Sequence, residues 1–207
     1  PLNILPPDYH SPTEAQRNTV LYEWYNSLVV NNRKITKGDL WGVFREDALI
    51  GYVPKENTVS PNGWWQSNNL GARARQDIPR EQLPNKRRVL FFGDSFTQGS
   101  RVPQEETIQH YINAQDSDIE AVNFGVDGYG MGQAYLRYTT LKDKLKYDHV
   151  LLIFVPIADL WRDINVSRQI GENWDSYMIY PRFIVEHDRL KLIAGPYSNL
   201  KELADDN

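Results

Sequence analysis

Apolar runs in the second half of the chain alternate with segments of helical periodicity, and this alternation constrains the fold most strongly. Three runs, "RRVLFFG", "IEAVNFG" and "DHVLLIFVP", are short and end at glycine or proline, as buried strands do. Between them, "EETIQHYINA" and "MGQAYLRYTTLKDKLK" repeat apolar residues at helical spacing. The order βαβαβ predicts an α/β domain with a doubly wound parallel sheet and right-handed crossovers. Because the third run is continuously apolar, we expect both faces of that strand to be buried.

The first part of the chain has a different pattern. Residues 13 to 32 place apolar side chains at helical spacing, which predicts an amphipathic helix that packs through one apolar stripe. Residues 33 to 86 are rich in turn formers and tryptophan, which predicts short strands and loops. We therefore divide the chain into a helix and loop-rich accessory segment, residues 1 to 86, and an α/β domain, residues 87 to 207.

Composition and charge exclude several classes of partner and cofactor. Lys and Arg number 23 against 27 Asp and Glu, and there is no long basic run, so we expect no nucleic-acid partner. No apolar run approaches the roughly 18 residues needed to span a bilayer, so we expect no membrane span. The chain has no cysteine, and its 4 histidines form no metal-binding motif, so we expect neither a metal nor an organic cofactor.

The first residue, Pro1, is not a methionine, which predicts that an upstream segment has been removed. If that segment was a signal peptide or an anchor, the protein is exported to the periplasm or the cell exterior. The residues themselves assign no compartment and no oligomeric state.

Three segments follow the ends of the predicted strands: residues 93 to 99, 123 to 132 and 156 to 163. Because ligands of doubly wound sheets bind at the carboxyl ends of the strands, we expect these segments to form one functional edge, called the rim below. Ser95 follows the first strand, where a turn can expose its hydroxyl beside main-chain N–H groups. The alternative is an Asp-Ser turn that only caps the next segment, but the position at the rim favours chemistry or ligand contact.

The glycine-containing segments of the rim do not match the phosphate loop, the GxSxG nucleophile elbow or the dinucleotide fingerprint. A phosphate loop needs lysine after its second glycine, but Ser100 follows Gly99. The nucleophile elbow GxSxG needs glycine at position 97, which is threonine. The stretch "GVDGYGMG" lacks the spacing of the dinucleotide fingerprint and follows the second strand instead of the first.

Two stretches carry a resemblance to a known family. "FFGDSFTQG" resembles block I of the SGNH (GDSL) hydrolases, and "AVNFGVDGYG" resembles their block II. The resemblance implies a three-layer α/β/α, flavodoxin-like fold and the chemistry of esterases, lipases, carbohydrate O-deacetylases and acyltransferases. It implies that Ser95 is the nucleophile with its own N–H as one oxyanion donor, that the Gly128 N–H is a second donor, and that Asp94 orients the turn. The preceding "NNLGARARQDIP" is similar to a lead-in of one bacterial branch.

The chain departs from the family after the third strand. The family places an oxyanion-hole asparagine there, usually followed by aspartate, but "FVPIADLWRD" has Ala158 beside Asp159. Because one such donor contributes about 10² to 10³ in rate, a hydrolase with Ala158 is expected to be slow. A neighbour such as Asn165, or a bound water, could fill the gap, but no sequence feature aims Asn165 inward.

The family's general base, a histidine in a DxxH motif near the carboxyl end, has no counterpart here. No histidine follows His187, which lies in a predicted hairpin turn. His149 begins the third strand at the wrong end of the sheet, and His110 lies within a helix of the outer layer. Without a base, a serine hydroxyl is a poor nucleophile at neutral pH.

Two interpretations of the missing base stay open. Either the chain is a fragment whose catalytic loop lies beyond Asn207, which we favour, or it is a hydrolase-like module that has lost its acid–base chemistry. The first predicts a serine esterase that removes or transfers O-acyl groups on a carbohydrate or other small ester. The second predicts a catalytically impaired module that binds glycan or acts as a scaffold. The tryptophans that could stack on sugar rings or serve the core are Trp64, Trp65, Trp161 and Trp174.

Overall fold

The computed structural model describes residues 42–61, 63–164 and 181–193, together with the backbone of residues 29–30 and 33–34. The chain divides into two compact units, Pro1–Lys37 and Gly38–Asn207. In the first unit, strand β1 (Val29–Val30) pairs antiparallel with β2 (Arg33–Lys34). The helix predicted over residues 13 to 32 therefore does not extend to residue 32. Its earlier part, residues 13 to 28, lies outside the described residues.

The second unit contains the βαβαβ order that the sequence predicts. Its short helix at residues 104 to 106 is a 3-10 helix, and the other helices among the described residues are α-helices. In chain order the elements are β3 (Phe44–Asp47), β4 (Gly51–Pro54), β5 (Arg87–Gly93), α1 (Ser95–Gln98), the 3-10 helix (Gln104–Glu106), α2 (Ile108–Gln115), β6 (Ile119–Asn123), α3 (Met131–Leu141), β7 (His149–Ile153), α4 (Pro156–Ile164), β8 (Arg182–Glu186) and β9 (Arg189–Ile193).

The central sheet is parallel, with strand order β6-β5-β7 in the described part of the chain. Phe91 of β5 lies opposite Asn123 of β6, and Gly93 of β5 lies opposite Ile153 of β7. Two antiparallel hairpins, β3–β4 and β8–β9, accompany the sheet. The α/β class is therefore confirmed, as are the short strands before residue 86 and the hairpin around the turn at His187.

The apolar core combines strand residues with residues from α3 and from the segment before β5. Leu90 and Phe92 of β5 are fully buried. The Phe92 ring stacks on Phe124 with 5.2 Å between centroids and meets Tyr138 of α3 edge-on at 5.7 Å. The other buried members are Ile50, Tyr52, Val53, Ala72, Ile78, Val122, Val126, Tyr129, Ala134, Leu136, Leu141 and Leu145. Residues on both sides of the predicted boundary at residue 86 thus share one core.

A buried arginine binds the loops at the amino-terminal ends of the strands. Arg88 of β5 has no exposed surface, and its Nε pairs with Glu120 Oε2 of β6 at 2.8 Å. Its Nη2 also donates to Glu120 Oε1 at 3.2 Å, and the guanidinium binds main-chain carbonyls as well, including Pro79 O at 2.9 Å and Lys146 O at 3.1 Å. Because each carbonyl belongs to a loop without strand partners, Arg88 joins the loops that enter β5 and β7 to the sheet.

The prediction that β7 is buried on both faces is wrong. Leu151 and Leu152 are 45% and 39% exposed, and in the part of the chain that the structure describes β7 is an edge strand of the sheet. The predicted helix α2 forms, but its apolar Ile108 and Tyr111 are about half exposed and its buried position is Gln109.

The opposite edge of the sheet, at β6, is covered by a side chain. Asn113 of α2 accepts a hydrogen bond from Ala121 N at 2.7 Å through Oδ1 and donates to Ala121 O at 3.0 Å through Nδ2. This amide occupies the main-chain groups of Ala121 as a neighbouring strand would.

We predict that Phe92→Ala lowers the free energy of unfolding by about 3–5 kcal/mol, because it removes a fully buried ring from the core. The matched control is Phe96→Ala, since Phe96 is 69% exposed and its loss is expected to change stability by less than about 0.5 kcal/mol. Urea denaturation of both variants measures the difference. Equal losses in the two variants would contradict the core described above.

Candidate active site

Ser95 is the first residue of α1, directly after the central strand. The Asp94 side chain caps the helix, because its Oδ1 accepts from Phe96 N at 2.9 Å. At the other end, Gly99 adopts φ 72° and its N–H donates to Ser95 O at 2.9 Å. Local hydrogen bonds therefore fix this four-residue helix at both ends, with Ser95 half-buried at its start.

Two glycines let the main chain of the rim pack closely around α1. A Cβ on Gly93 would overlap Thr97 Oγ1 and the carbonyl oxygen of Ile153. A Cβ on Gly125 would overlap the amide nitrogen of Gln98 and lie 2.7 Å from the carbonyl carbon of Thr97. Any side chain at either position would push α1 away from the sheet or from the loop after β6.

The loop that contains Gly128 runs alongside α1. Val126 N donates to Gly93 O at 3.0 Å, and Asp127 N donates to the Gln98 side chain at 2.9 Å. From the other side, the Tyr52 hydroxyl donates to Asp127 O at 2.6 Å. Gly128 itself has φ 78° and is half-buried. The structure thus brings the predicted segments of Ser95 and Gly128 next to each other.

A guanidinium group joins the three rim segments. Arg162 of α4 donates through Nη1 to Asp94 Oδ2 at 3.3 Å and to Tyr129 O at 3.1 Å. The same nitrogen contacts Asp159 Oδ1, one turn earlier on α4. Asp94 follows β5, Tyr129 follows β6 and Asp159 follows β7, so one side chain links the ends of all three strands.

Asp159 fixes the start of α4, and Ala158 lies beside it. Asp159 is 1% exposed, and its Oδ2 accepts from Val155 N at 2.8 Å. Burial raises the pKa of Asp159, although the Val155 N–H and the Arg162 guanidinium act in the opposite direction. Ala158 is half-buried, and its side chain has no polar group.

Asp127 is a further titratable group of the rim. Burial raises the pKa of its carboxyl, while the charges of Arg162 and Arg101 and a hydrogen bond from the Gly128 main chain lower it. A carboxyl with a raised pKa therefore lies directly before Gly128, the predicted oxyanion donor.

Sequence reasoning missed three residues that shape the rim: Arg73, Arg162 and Asp127. Arg73 is 3% exposed, and burial lowers the pKa of its guanidinium to about 10, so it stays charged at neutral pH. The signal for Arg73 was the stretch "NNLGARARQDIP", which indicated only a resemblance.

Among the described residues, no histidine is hydrogen-bonded to Ser95, and the Ser95 hydroxyl has no hydrogen-bond partner. His110 lies on α2, His149 begins β7 at the amino-terminal edge, and His187 lies in the β8–β9 turn. The proposed substitute donor Asn165 lies outside the described residues, as does Trp174. The described residues therefore contribute a candidate nucleophile and candidate donors, but no histidine base.

Comparisons with known proteins add no family to this geometry. No protein-family model matches the chain, and a search of curated proteins finds no match. In the described part of the chain, no group of three or more His, Asp or Glu side chains is arranged to hold a metal ion. Every described helix is too short or too polar to cross a membrane.

We predict that Arg162→Met lowers the free energy of unfolding at pH 7 by about 3 kcal/mol, because it leaves Asp94 and Asp159 buried without their cation. The deficit should shrink as the pH falls from neutral towards about pH 4, because the relief begins at the raised pKa of the folded carboxyl and is complete near the pKa of the unfolded one. Burial already raises the pKa of Asp159, and without the cation this carboxyl protonates earlier in the folded than in the unfolded chain as the pH falls.

Denaturation of Arg162→Met at several pH values measures this deficit, and Arg45→Met is the matched control. Arg45 also pairs with two carboxylates, Asp47 and Glu56, but at the surface, so its loss should cost at most about 1 kcal/mol. A pH-independent deficit in Arg162→Met would contradict the charged cluster.

Proposed function

We propose that the chain is a serine ester hydrolase of the SGNH (GDSL) type that removes or transfers O-acyl groups on a carbohydrate or other small ester. The observation that carries the proposal is the position of Ser95. It begins α1 at the carboxyl end of the central strand, half-buried, and its hydroxyl is not engaged by any described residue. A serine held in this way can present its oxygen to a bound carbonyl.

The chemistry follows from the groups around Ser95. Its Oγ attacks the ester carbonyl carbon, a base takes the hydroxyl proton, and the carbonyl oxygen becomes an oxyanion. The Ser95 N–H belongs to the first turn of α1, whose amides have no partner within the helix, so it is available to the oxyanion. Gly128, in the adjacent loop, is the proposed second donor, and its N–H, which hydrogen-bonds the Asp127 carboxyl in this structure, must turn to the oxyanion when an ester binds. Collapse expels the alkoxide, which takes the proton back from the base and leaves as the alcohol. Water or an acceptor hydroxyl, deprotonated by the same base, then attacks the acyl group, and the proton returns to Ser95 Oγ as the acyl–Ser95 bond breaks.

Contacts on the two faces of the sheet support the three-layer arrangement of this family. Asn123 lies opposite Phe91 in the parallel register, and its side chain binds Gln109 of α2 at 2.9 Å. Phe92, which follows Phe91 in β5, points to the other face of the sheet and contacts Tyr138 of α3. Helices from consecutive crossovers thus contact opposite faces, as a doubly wound sheet requires.

The exposed tryptophan of α4 supports a carbohydrate substrate. Trp161 is 54% exposed and lies one turn after Ala158 at the rim. Trp65 is buried and packs on Phe44 at 6.0 Å, so it serves the core. Trp64 is half-buried. Among the described tryptophans, Trp161 therefore has the most surface for stacking on a sugar ring.

A non-catalytic glycan-binding or scaffold module is the second candidate. Two observations favour it: the Ala158 side chain has no donor for an oxyanion, and no described histidine is hydrogen-bonded to Ser95. Such a module keeps the rim and Trp161 but does not turn over an ester.

We predict that Ser95→Ala abolishes hydrolysis of a chromogenic acetate ester and of an acetylated oligosaccharide, because it removes the nucleophile. Release of the chromophore and of acetate measures the loss, and Ser117→Ala, at an exposed turn, is the matched control. Activity that survives Ser95→Ala would remove Ser95 from the mechanism. Saccharide binding by both proteins without turnover in the wild type would favour the second candidate.

We predict that Ala158→Asn raises kcat/KM for the same esters by about 10-fold to 10²-fold, because it restores a donor that contributes up to about 10³ in rate. The control is Ile157→Asn, which adds the same side chain one position earlier, where the residue is 88% exposed. An Ala158→Asn variant that folds but shows no gain would contradict the proposed oxyanion hole.

A further inference from the structure

The carboxyl-terminal end of α1 binds a buried guanidinium group. Arg73 Nη1 donates to Gln98 O at 2.8 Å and to Gly99 O. Its Nη2 donates to Trp64 O at 3.1 Å and to Val102 O. All four acceptors are main-chain carbonyls, and two of them belong to Gln98, the last residue of α1, and to Gly99, its C-cap.

The main chain of Arg73 is joined to the neighbouring strand end. Arg73 N donates to Asn123 O of β6 at 2.8 Å, and Arg73 O accepts from the Gln104 side chain at 3.2 Å. The Asn123 side chain in turn donates to Gln98 O at 3.2 Å, the same carbonyl that Arg73 binds. Arg73 therefore connects α1 to the end of β6 from which the Gly128 loop starts.

The loop before Arg73 is itself held on several sides. Asn68 Oδ1 accepts from Leu70 N at 3.0 Å and from Ala72 N at 3.1 Å. Arg137 of α3 donates to Gly71 O at 2.9 Å. Gly71 adopts φ +66°, and a Cβ there would lie 3.0 Å from Pro54 O. These contacts hold the backbone from which the Arg73 side chain reaches α1.

We propose that Arg73 is a positioning residue that fixes the Ser95 helix relative to the Gly128 loop. Its effect on catalysis rests on the proposed function, whereas its effect on α1 does not. Within the described residues, none of its hydrogen bonds goes to a carboxylate. A buried charge is costly unless it is hydrogen-bonded, and only the fork of a guanidinium supplies donors to all four carbonyls at once.

The buried Arg88 offers a matched control. It also binds loop carbonyls and has no exposed surface, but it lies at the amino-terminal edge of the sheet. Replacing either arginine with lysine keeps the charge and removes most of the fork. A merely structural role for Arg73 predicts that the two variants behave alike.

Amide hydrogen exchange tests the positioning directly. In Arg73→Lys, the amides of Gly99, Ser100 and Val102, whose hydrogen bonds close the end of α1, should exchange at least about tenfold faster, as expected from the loss of one or two hydrogen bonds. In Arg88→Lys these amides should keep their wild-type rates after correction for any global change in stability. Unchanged rates in Arg73→Lys, or equal changes in both variants, would overturn the proposal.

Exchange in the wild-type protein keeps the proposal testable if Arg73→Lys does not fold. In low urea, the amides of Gly99 and Ser100 should open with the same free energy as those of Arg73 and Ala74, because one guanidinium joins both segments. Independent opening of α1 at a much lower free energy would overturn the proposal.

The kinetic measurement separates this inference from the proposed function. If the wild type hydrolyses the chromogenic ester, Arg73→Lys should lower kcat by about 10-fold to 10²-fold at nearly constant KM, because a small displacement of a nucleophile has that effect. Arg88→Lys, assayed well below its unfolding temperature, should keep kcat. Equal kcat losses in both variants would overturn the proposal. A wild type without activity would count against the proposed function alone, and the exchange experiments would still decide the role of Arg73.

Discussion

The parallel pairing of β5 with β6 on one side and β7 on the other determines where everything else in the second unit lies. Because the strands run in the same direction and in register, Gly93, Asn123 and Ile153 end at one edge of the sheet. The loops that leave these ends therefore meet at that end of the sheet. Hydrogen bonds from Phe124 N to Phe91 O and from Val126 N to Gly93 O extend the pairing past β6. The rim is therefore a continuation of the sheet.

Three arginines, of which Arg73 and Arg88 are buried and Arg162 is half-buried, hold the loops at the ends of the strands. Arg88 fastens loops at the amino-terminal edge, Arg73 binds the end of α1, and Arg162 joins the three strand ends at the rim. Loops have main-chain carbonyls without regular partners, and a guanidinium carries five donors that can reach several of them. With a mean hydropathy of −0.58, the chain organises its loops through such polar contacts as well as through its apolar core.

Periodicity in the sequence was sufficient for the strands, the crossover helices and the position of Ser95, because apolar runs that end at glycine have a local signature. The exposure of Leu151 and Leu152 could not be predicted in this way. Whether a strand lies at an edge depends on the order of strands in the sheet, and β5 and β7 have equally apolar sequences. Arg73 and Arg162 were missed for a related reason. Their acceptors include main-chain carbonyls, which every residue carries, so no pattern of side chains in the sequence predicts these two arginines.

The two edges of the sheet are not equivalent. At β6, the Asn113 amide already occupies both main-chain groups of Ala121, so another strand would first have to displace it. At β7, the described residues offer no such cover, and Leu151 and Leu152 lie open beside the edge. An exposed apolar edge strand can pair with a strand of another chain, which leads to aggregation. In the described part of the chain, β7 is therefore the more accessible edge for pairing with another strand.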